Sequence, residues 1–187
     1  MKVVCIGDSL TYGYGVYSDE CWVELLGKNL DIEVINKGVN GDTTAGILSR
    51  SNKDILQLKP SHTIIMAGTN DLLLNYPLDN IIDNIKFILE EIKINNIIPI
   101  LGLQPPIVND LAIKHWDKYI DYKKVNENLL EYIKILQTFA CKNNIDFINF
   151  YDYFIKTKDI INLYSDGIHP NSLGHKLMFE IIIEASS

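Results

Sequence analysis

The chain has 187 residues, 47% of them hydrophobic and 22% charged, which suits one globular domain with a sizeable core. A formal net charge of −7, with lysines never gathered into a basic block, excludes the electrostatic footprint of a nucleic-acid binder or of a protein that docks on anionic membranes. Cys5, Cys21 and Cys141 show neither C-x-x-C spacing nor a zinc pattern with the four histidines, so they read as reduced thiols of a cytoplasmic protein.

In chain order, short apolar runs alternate with longer amphipathic ones. The run "KVVCIG" opens the chain, and a helical stripe of Trp22, Leu25, Leu26 and Leu30 follows it. "IEVINKG" precedes a looser stripe of Thr44, Ile47, Leu48 and Ile55, and "HTIIMAG" precedes Ile81, Ile82, Ile85, Leu89 and Ile92. "IIPILGL" leads to Val125, Leu129, Tyr132, Ile133, Leu136 and Ala140; "DFINF" leads to Leu173, Leu177, Met178, Ile181 and Ile182. The apolar runs are continuous and rich in β-branched residues, the pattern of strands buried on both faces of a parallel sheet. The alternation predicts an α/β fold: a three-layer α/β/α, flavodoxin-like doubly wound sheet of about five parallel strands in the order 2-1-3-4-5, as one domain over 1–187. No stretch has the apolar length of a membrane span, and only Met1-Lys2 precede the first strand, so no membrane insertion and a cytoplasmic location are expected.

Functional loops of such a sheet leave the carboxyl ends of its strands. Here those loops carry Gly7-Asp8-Ser9-Leu10, then "NKGVNGDTT" with Gly41, then Gly68-Thr69-Asn70-Asp71, then "LQPPIVND", and finally "SDGIHPN" with Asp166 and His169. Together they supply the parts of an acyl-transfer site. A serine hydroxyl is a weak nucleophile until a neutral imidazole takes its proton, and a carboxylate orients that imidazole. Ser9, His169 and Asp166 suit these roles. The N–H groups of Ser9 and Gly41 and the amide of Asn70 suit the oxyanion hole.

Each residue also has a plainer reading. Ser9 is placed where serines cap helices, Gly41 is a turn glycine, Asn70 can satisfy its own loop, and Asp8 is expected to brace the turn. His62 falls at the wrong end of its strand, His175 lies inside the last helix, and His115 is expected in a solvated loop. Leu72, Ile107 and Val108 are candidates to line a small acyl pocket, although core packing explains such residues as well.

The four blocks resemble those of the GDSL esterases, the SGNH hydrolase family: "GDSLTYGYG" with Ser9, "NGDTTAGI" with Gly41, "GTND" with Asn70, and "DGIHPNSLGH" with Asp166 and His169. An asparagine, Asn40, stands before Gly41 where the family often has serine. The resemblance implies a serine esterase acting through an acyl-enzyme on a small-molecule carboxylic ester, with a short acyl chain, no cofactor and no metal. Thioester hydrolysis, lysophospholipid hydrolysis and acyl transfer use the same residues. Two readings of other classes stand beside it. Asp8, Asp42, Asp71 and Asp166 all fall at strand ends, as in a Mg²⁺-dependent phosphate-ester enzyme. A non-catalytic binding module on the same scaffold is the other, although neither a P-loop nor a complete G-x-G-x-x-G is present.

Overall fold

A computed structural model describes residues 1–185, so the last two positions of the expected domain lie outside the described residues. The strands are β1 (Lys2–Gly7), β2 (Glu33–Gly38), β3 (His62–Met66), β4 (Ile98–Leu103) and β5 (Asp146–Asn149). They form one parallel sheet in the order β2-β1-β3-β4-β5, the order expected from the sequence. The long helices are α2 (Trp22–Leu30), α3 (Thr44–Asp54), α5 (Leu78–Ile94), α7 (Tyr122–Asn143) and α9 (Ser172–Ala185). Four short ones were not legible from periodicity: α1 (Ser9–Tyr12), α4 (Thr69–Leu73), α6 (Asn109–His115) and α8 (Phe150–Lys156). Among the described residues no helix is long and apolar enough to cross a membrane.

Side-chain alternation along each strand splits the core into two layers. Val4, Ile6, Ile65, Leu101 and Leu103 face α3, α5 and α7, where Ile47, Ile85, Leu89 and Leu129 are fully buried against them. Val3, Cys5, Ile64, Met66 and Ile148 face Trp22 and Leu26 of α2, Phe154 of α8, and Met178 and Ile182 of α9. Each such aliphatic side chain contributes roughly 1.5–3 kcal/mol by leaving water. Both faces are covered, which is why the strands read as unbroken apolar runs.

The feature that positions the site is the seat of α1. This helix lies on the backbone of the sheet edge, where glycines remove the obstructing carbons. A Cβ at Gly38 would fall 2.5 Å from Tyr12 Cα and closer still to Tyr12 N; one at Gly7 would overlap Met66 O and the Thr11 hydroxyl. The carbonyls of α1 are then taken up from outside the helix. Trp22 Nε1 donates to Leu10 O at 3.0 Å, and Asn36 Nδ2 donates to Thr11 O at 3.0 Å. Because the obstruction at Gly38 is backbone, Gly38→Ala is expected to cost about 3 kcal/mol of stability. The check is a lower urea midpoint at unchanged m-value; a midpoint equal to wild type would show that α1 has room to move.

Candidate active site

Asp8, directly after β1, turns the chain (φ −98°, ψ −149°) and accepts a hydrogen bond from Leu10 N at 2.9 Å. The cap of α1 is therefore Asp8, and Ser9 is the first helical residue. The hydroxyl of Ser9 lies 3.0 Å from His169 Nε2. His169 hangs from the loop before α9, where Asp166 Oδ1 accepts from the N–H groups of Ile168 (2.9 Å) and His169 (2.8 Å). That fold of the loop brings Asp166 Oδ2 within 2.7 Å of His169 Nδ1. With the Nδ1 proton donated to Asp166, Nε2 is the acceptor that faces Ser9. A Ser–His–Asp hydrogen-bonded chain thus joins residues 160 positions apart in sequence.

Two carboxyls flank this chain with opposite tendencies. Burial opposes the charge of Asp166, but the hydrogen bonds from the His169 ring and from the backbone of His169 and Ile168 outweigh it and hold the group below its ordinary value. Asp8 is fully buried, and burial pushes its carboxyl up to about 7, against the pull of Leu10 N–H and of His169. Its Oδ2 has no protein partner among the described residues.

Gly41 and Asn70 come from the neighbouring loops. Gly41 has φ +76°, a region open to glycine, and a Cβ there would meet nothing within 4 Å, so the space in front of it is free. The N–H groups of Ser9 and Gly41 have no partner among the described residues. Asn70 Nδ2 donates to Asp42 O at 2.9 Å, which ties the Asn70 turn to the Gly41 loop and leaves its second amide hydrogen. The bracing role and the oxyanion role are therefore compatible.

Two residues have a supporting role that the sequence did not indicate: Arg50, which was not singled out, and Asp71, which was noted only as a strand-end carboxylate. Arg50, on α3, donates from Nε to Asp42 (2.7 Å), from Nη1 to Lys37 O (2.9 Å) and Asp54 (3.0 Å), and from Nη2 to Gly7 O (3.0 Å). One guanidinium thus joins the ends of β1 and β2 to the Gly41 loop. It is the only arginine in the sequence, and that was the available signal. Asp71 accepts from Thr44 N (3.0 Å) and Thr44 Oγ1 (2.7 Å), pinning α4 to the start of α3. Burial raises the pKa of Asp71 against those bonds.

The strand-end carboxylates each have separate structural work, and among the described residues no group of three His, Cys, Asp or Glu side chains is arranged to hold a metal ion. Leu72 and Ile107 are buried in the core under α5 and α7, so they pack where an open acyl lining was expected; Val108 is half-buried and packs toward the other layer. His62 begins β3 at the far end of the sheet, beside an apolar cavity of about 460 Å³ between Val3, Ile64, Leu26 and Ile182. His175 is buried in α9, where Nδ1 accepts from Trp22 N, and burial lowers its pKa to about 4. His115 is exposed and ends α6, so it is helical where a loop was expected.

A family model described as GDSL-like lipase/acylhydrolase matches residues 5–177. Among solved structures, a protein of the G-D-S-L lipolytic family from Desulfitobacterium hafniense DCB-2 is 31% identical, with a TM-score of 0.84 over 98% of each chain. A lipase/acylhydrolase from Enterococcus faecalis is 25% identical, with a TM-score of 0.83 over 98% of this chain and 93% of that one. An arylesterase of Vibrio mimicus is 34% identical over 97 residues, 49% of this chain and 48% of that protein. The chain spans about half the length of the curated relatives it matches.

The raised pKa of Asp8 has a definite sign in stability. Between its unfolded value of 3.8 and about 7 the folded chain holds a proton that the unfolded chain releases, so this contribution is complete below 3.8 and lost as pH rises through 7. Asp8→Asn keeps the acceptor for Leu10 N and removes the titration. Relative to wild type, this variant is expected to gain on the order of 3 kcal/mol between pH 4 and 8. Urea unfolding of both proteins at the two pH values measures it, and a pH-independent difference would refute the buried acid.

Proposed function

The chain belongs to the GDSL-like lipase/acylhydrolase family, and from that premise we propose that it is a serine esterase that hydrolyses a carboxylic ester through an acyl-enzyme on Ser9. The observation that carries this reading is the hydrogen-bonded chain from Ser9 Oγ through His169 to Asp166, at 3.0 and 2.7 Å.

In the proposed mechanism Ser9 Oγ attacks the ester carbonyl while His169 Nε2 takes the hydroxyl proton. Asp166 keeps the ring in the Nδ1–H tautomer and offsets the charge of the imidazolium. The carbonyl oxygen, now an oxyanion, is held by the N–H groups of Ser9 and Gly41 and the free amide hydrogen of Asn70. His169 then returns its proton to the departing alcohol oxygen, leaving the acyl group on Ser9. Water enters, gives a proton to the same nitrogen and attacks the acyl carbon; the acyl–Oγ bond then breaks, Ser9 Oγ takes that proton back from Nε2, and the acid leaves. A short acyl group is part of this reading; Leu72 and Ile107, its candidate lining residues, are buried in the core.

A fluorophosphonate is expected to label Ser9 stoichiometrically, and Ser9→Ala should abolish both labelling and ester turnover. An adduct located by mass spectrometry on another serine, such as the exposed Ser165, would sink the assignment.

Asn70→Ala removes both the oxyanion donor and the tie to Asp42. It is expected to lower kcat about a hundred- to a thousandfold, or roughly 3–4 kcal/mol, with KM little changed and the melting temperature reduced. A reduced melting temperature with wild-type kcat would leave Asn70 a bracing role only.

A further inference from the structure

His169 is enclosed by two aromatic rings that the proposed mechanism does not use. The Tyr14 ring centroid lies 4.5 Å from that of His169, and the Trp116 centroid lies 5.1 Å from it. His169 itself is 4% exposed, yet Tyr14 is 43% exposed and Trp116 is 51% exposed. Screening the imidazole from water requires only the covered part of each ring. The rest of each residue is exposed to solvent beside the imidazole.

Both rings are carried by backbone that is hydrogen-bonded to the segments of the reacting side chains. Tyr14 N donates to Ser9 O at 3.1 Å, and the chain bends on either side of Tyr14 through Gly13 (φ +88°) and Gly15 (φ +86°). Trp116 follows α6, its N–H donating to Ala112 O at 2.9 Å. That helix sits directly on the His169 loop: Val108 N donates to Gly167 O at 2.8 Å, and a Cβ at Gly167 would fall 2.6 Å from Val108 O. The ring positions are therefore fixed relative to Ser9 and His169.

The consequence follows from where the departing alcohol must be. When the tetrahedral intermediate collapses, the bond from acyl carbon to alcohol oxygen breaks, Ser9 Oγ keeps the acyl group, and the alcohol oxygen takes the proton from His169 Nε2. That oxygen must come within hydrogen-bond reach of Nε2, so the rest of the alcohol leaves past the rings that flank the imidazole. Aromatic side chains favour partners with a ring face to offer, by offset or edge contact with another aromatic ring or by contact with an apolar C–H face. We propose that Tyr14 and Trp116 form the leaving-group subsite, and that the alcohol released carries a ring with an apolar face, either aromatic or a pyranose presented through its C–H face. This proposal rests on the esterase reading of the same site and adds to it the class of alcohol.

The test is a set of acetates of unactivated alcohols: propyl, hexyl and benzyl acetate, and a mono-acetylated methyl xylopyranoside. Their shared acyl group holds the acyl side of the site constant. For benzyl acetate, the xyloside or both, kcat/KM is expected to exceed that of propyl and hexyl acetate by about tenfold. Tyr14→Leu and Trp116→Leu should each pull that ratio several-fold toward one, and the better of the two ring substrates identifies the source of the ring. Hexyl acetate matching both ring substrates would overturn the proposal, since apolar bulk alone would then suffice. So would variants that slow all four acetates equally, which is the behaviour of a simple screen around His169. Failure of every acetate together with no phosphonate labelling of Ser9 would instead remove the esterase reading, and the subsite with it.

Discussion

The site depends on a contact between backbones, the seat of α1 on Gly7 and Gly38. A parallel strand ends with its last carbonyl aimed at the carboxyl edge of the sheet, and a side chain can be presented there only if the chain turns at once. The turn after β1 is made by Asp8, and the single turn of helix that follows would collide with the sheet if either glycine carried a side chain. A four-residue helix has almost no stability of its own, since nucleation consumes more order than its few hydrogen bonds return. Here the deficit is met by Trp22 and Asn36, whose donors reach the carbonyls that such a helix leaves open. Ser9 is thus fixed by a glycine edge below and two side-chain donors behind.

The second half of the site is held by charge. The Gly41 loop and the Asn70 turn have no sheet ladder to fix them, so their geometry is set by Arg50, Asp71 and Asn70 itself. Arg50 satisfies two strand-end carbonyls while pairing with Asp42 and Asp54, a fork that lysine, with its point charge, does not reproduce. Its partners lie largely out of water, where charge-assisted bonds are stronger than surface pairs. Asp71 binds the start of α3, where the helix dipole favours a carboxylate. Asn70 closes the arrangement by bonding Asp42 O. A movement of any one of these loops would be felt at the other two.

The sheet, its strand order and the long helices were legible because burial on two faces and amphipathic spacing are written in the sequence over ten or more residues. The block residues were legible because strand ends are predictable places and the four blocks resemble a known family. Short helices such as α1 and α6 were not, since four to seven residues carry too little periodicity and their stability comes from distant partners. Ser9 looked like a helix cap because serine after a strand commonly is one; the chain turns one residue earlier, at Asp8, whose side chain accepts from Leu10 N. Leu72 and Ile107 leave strand ends yet turn inward, a choice made by the packing of α5 and α7 and not by local sequence. Tyr14 stood in plain sight beside the serine, but only the return of the chain at His169, 155 residues later, gives it a neighbour.

Asp8 and Asp166 show how one site sorts two identical functional groups. Asp166 keeps its charge because His169 and two backbone N–H groups compensate its partial burial. Asp8 receives one backbone donor, is fully buried, and is pushed up to about 7. Such separation of two carboxyls by environment is how a fold assigns them different work. For the acyl transfer proposed above, the sorting has a direct electrostatic use. An oxyanion forming at Ser9 and Gly41 is destabilised by any full negative charge behind the nucleophile, and burial keeps Asp8 neutral up to about pH 7, where an ordinary carboxyl would already be charged. The one carboxylate that the proposed mechanism uses, Asp166, lies on the far side of the imidazole, where its charge would stabilise the cation with the ring between it and the anion.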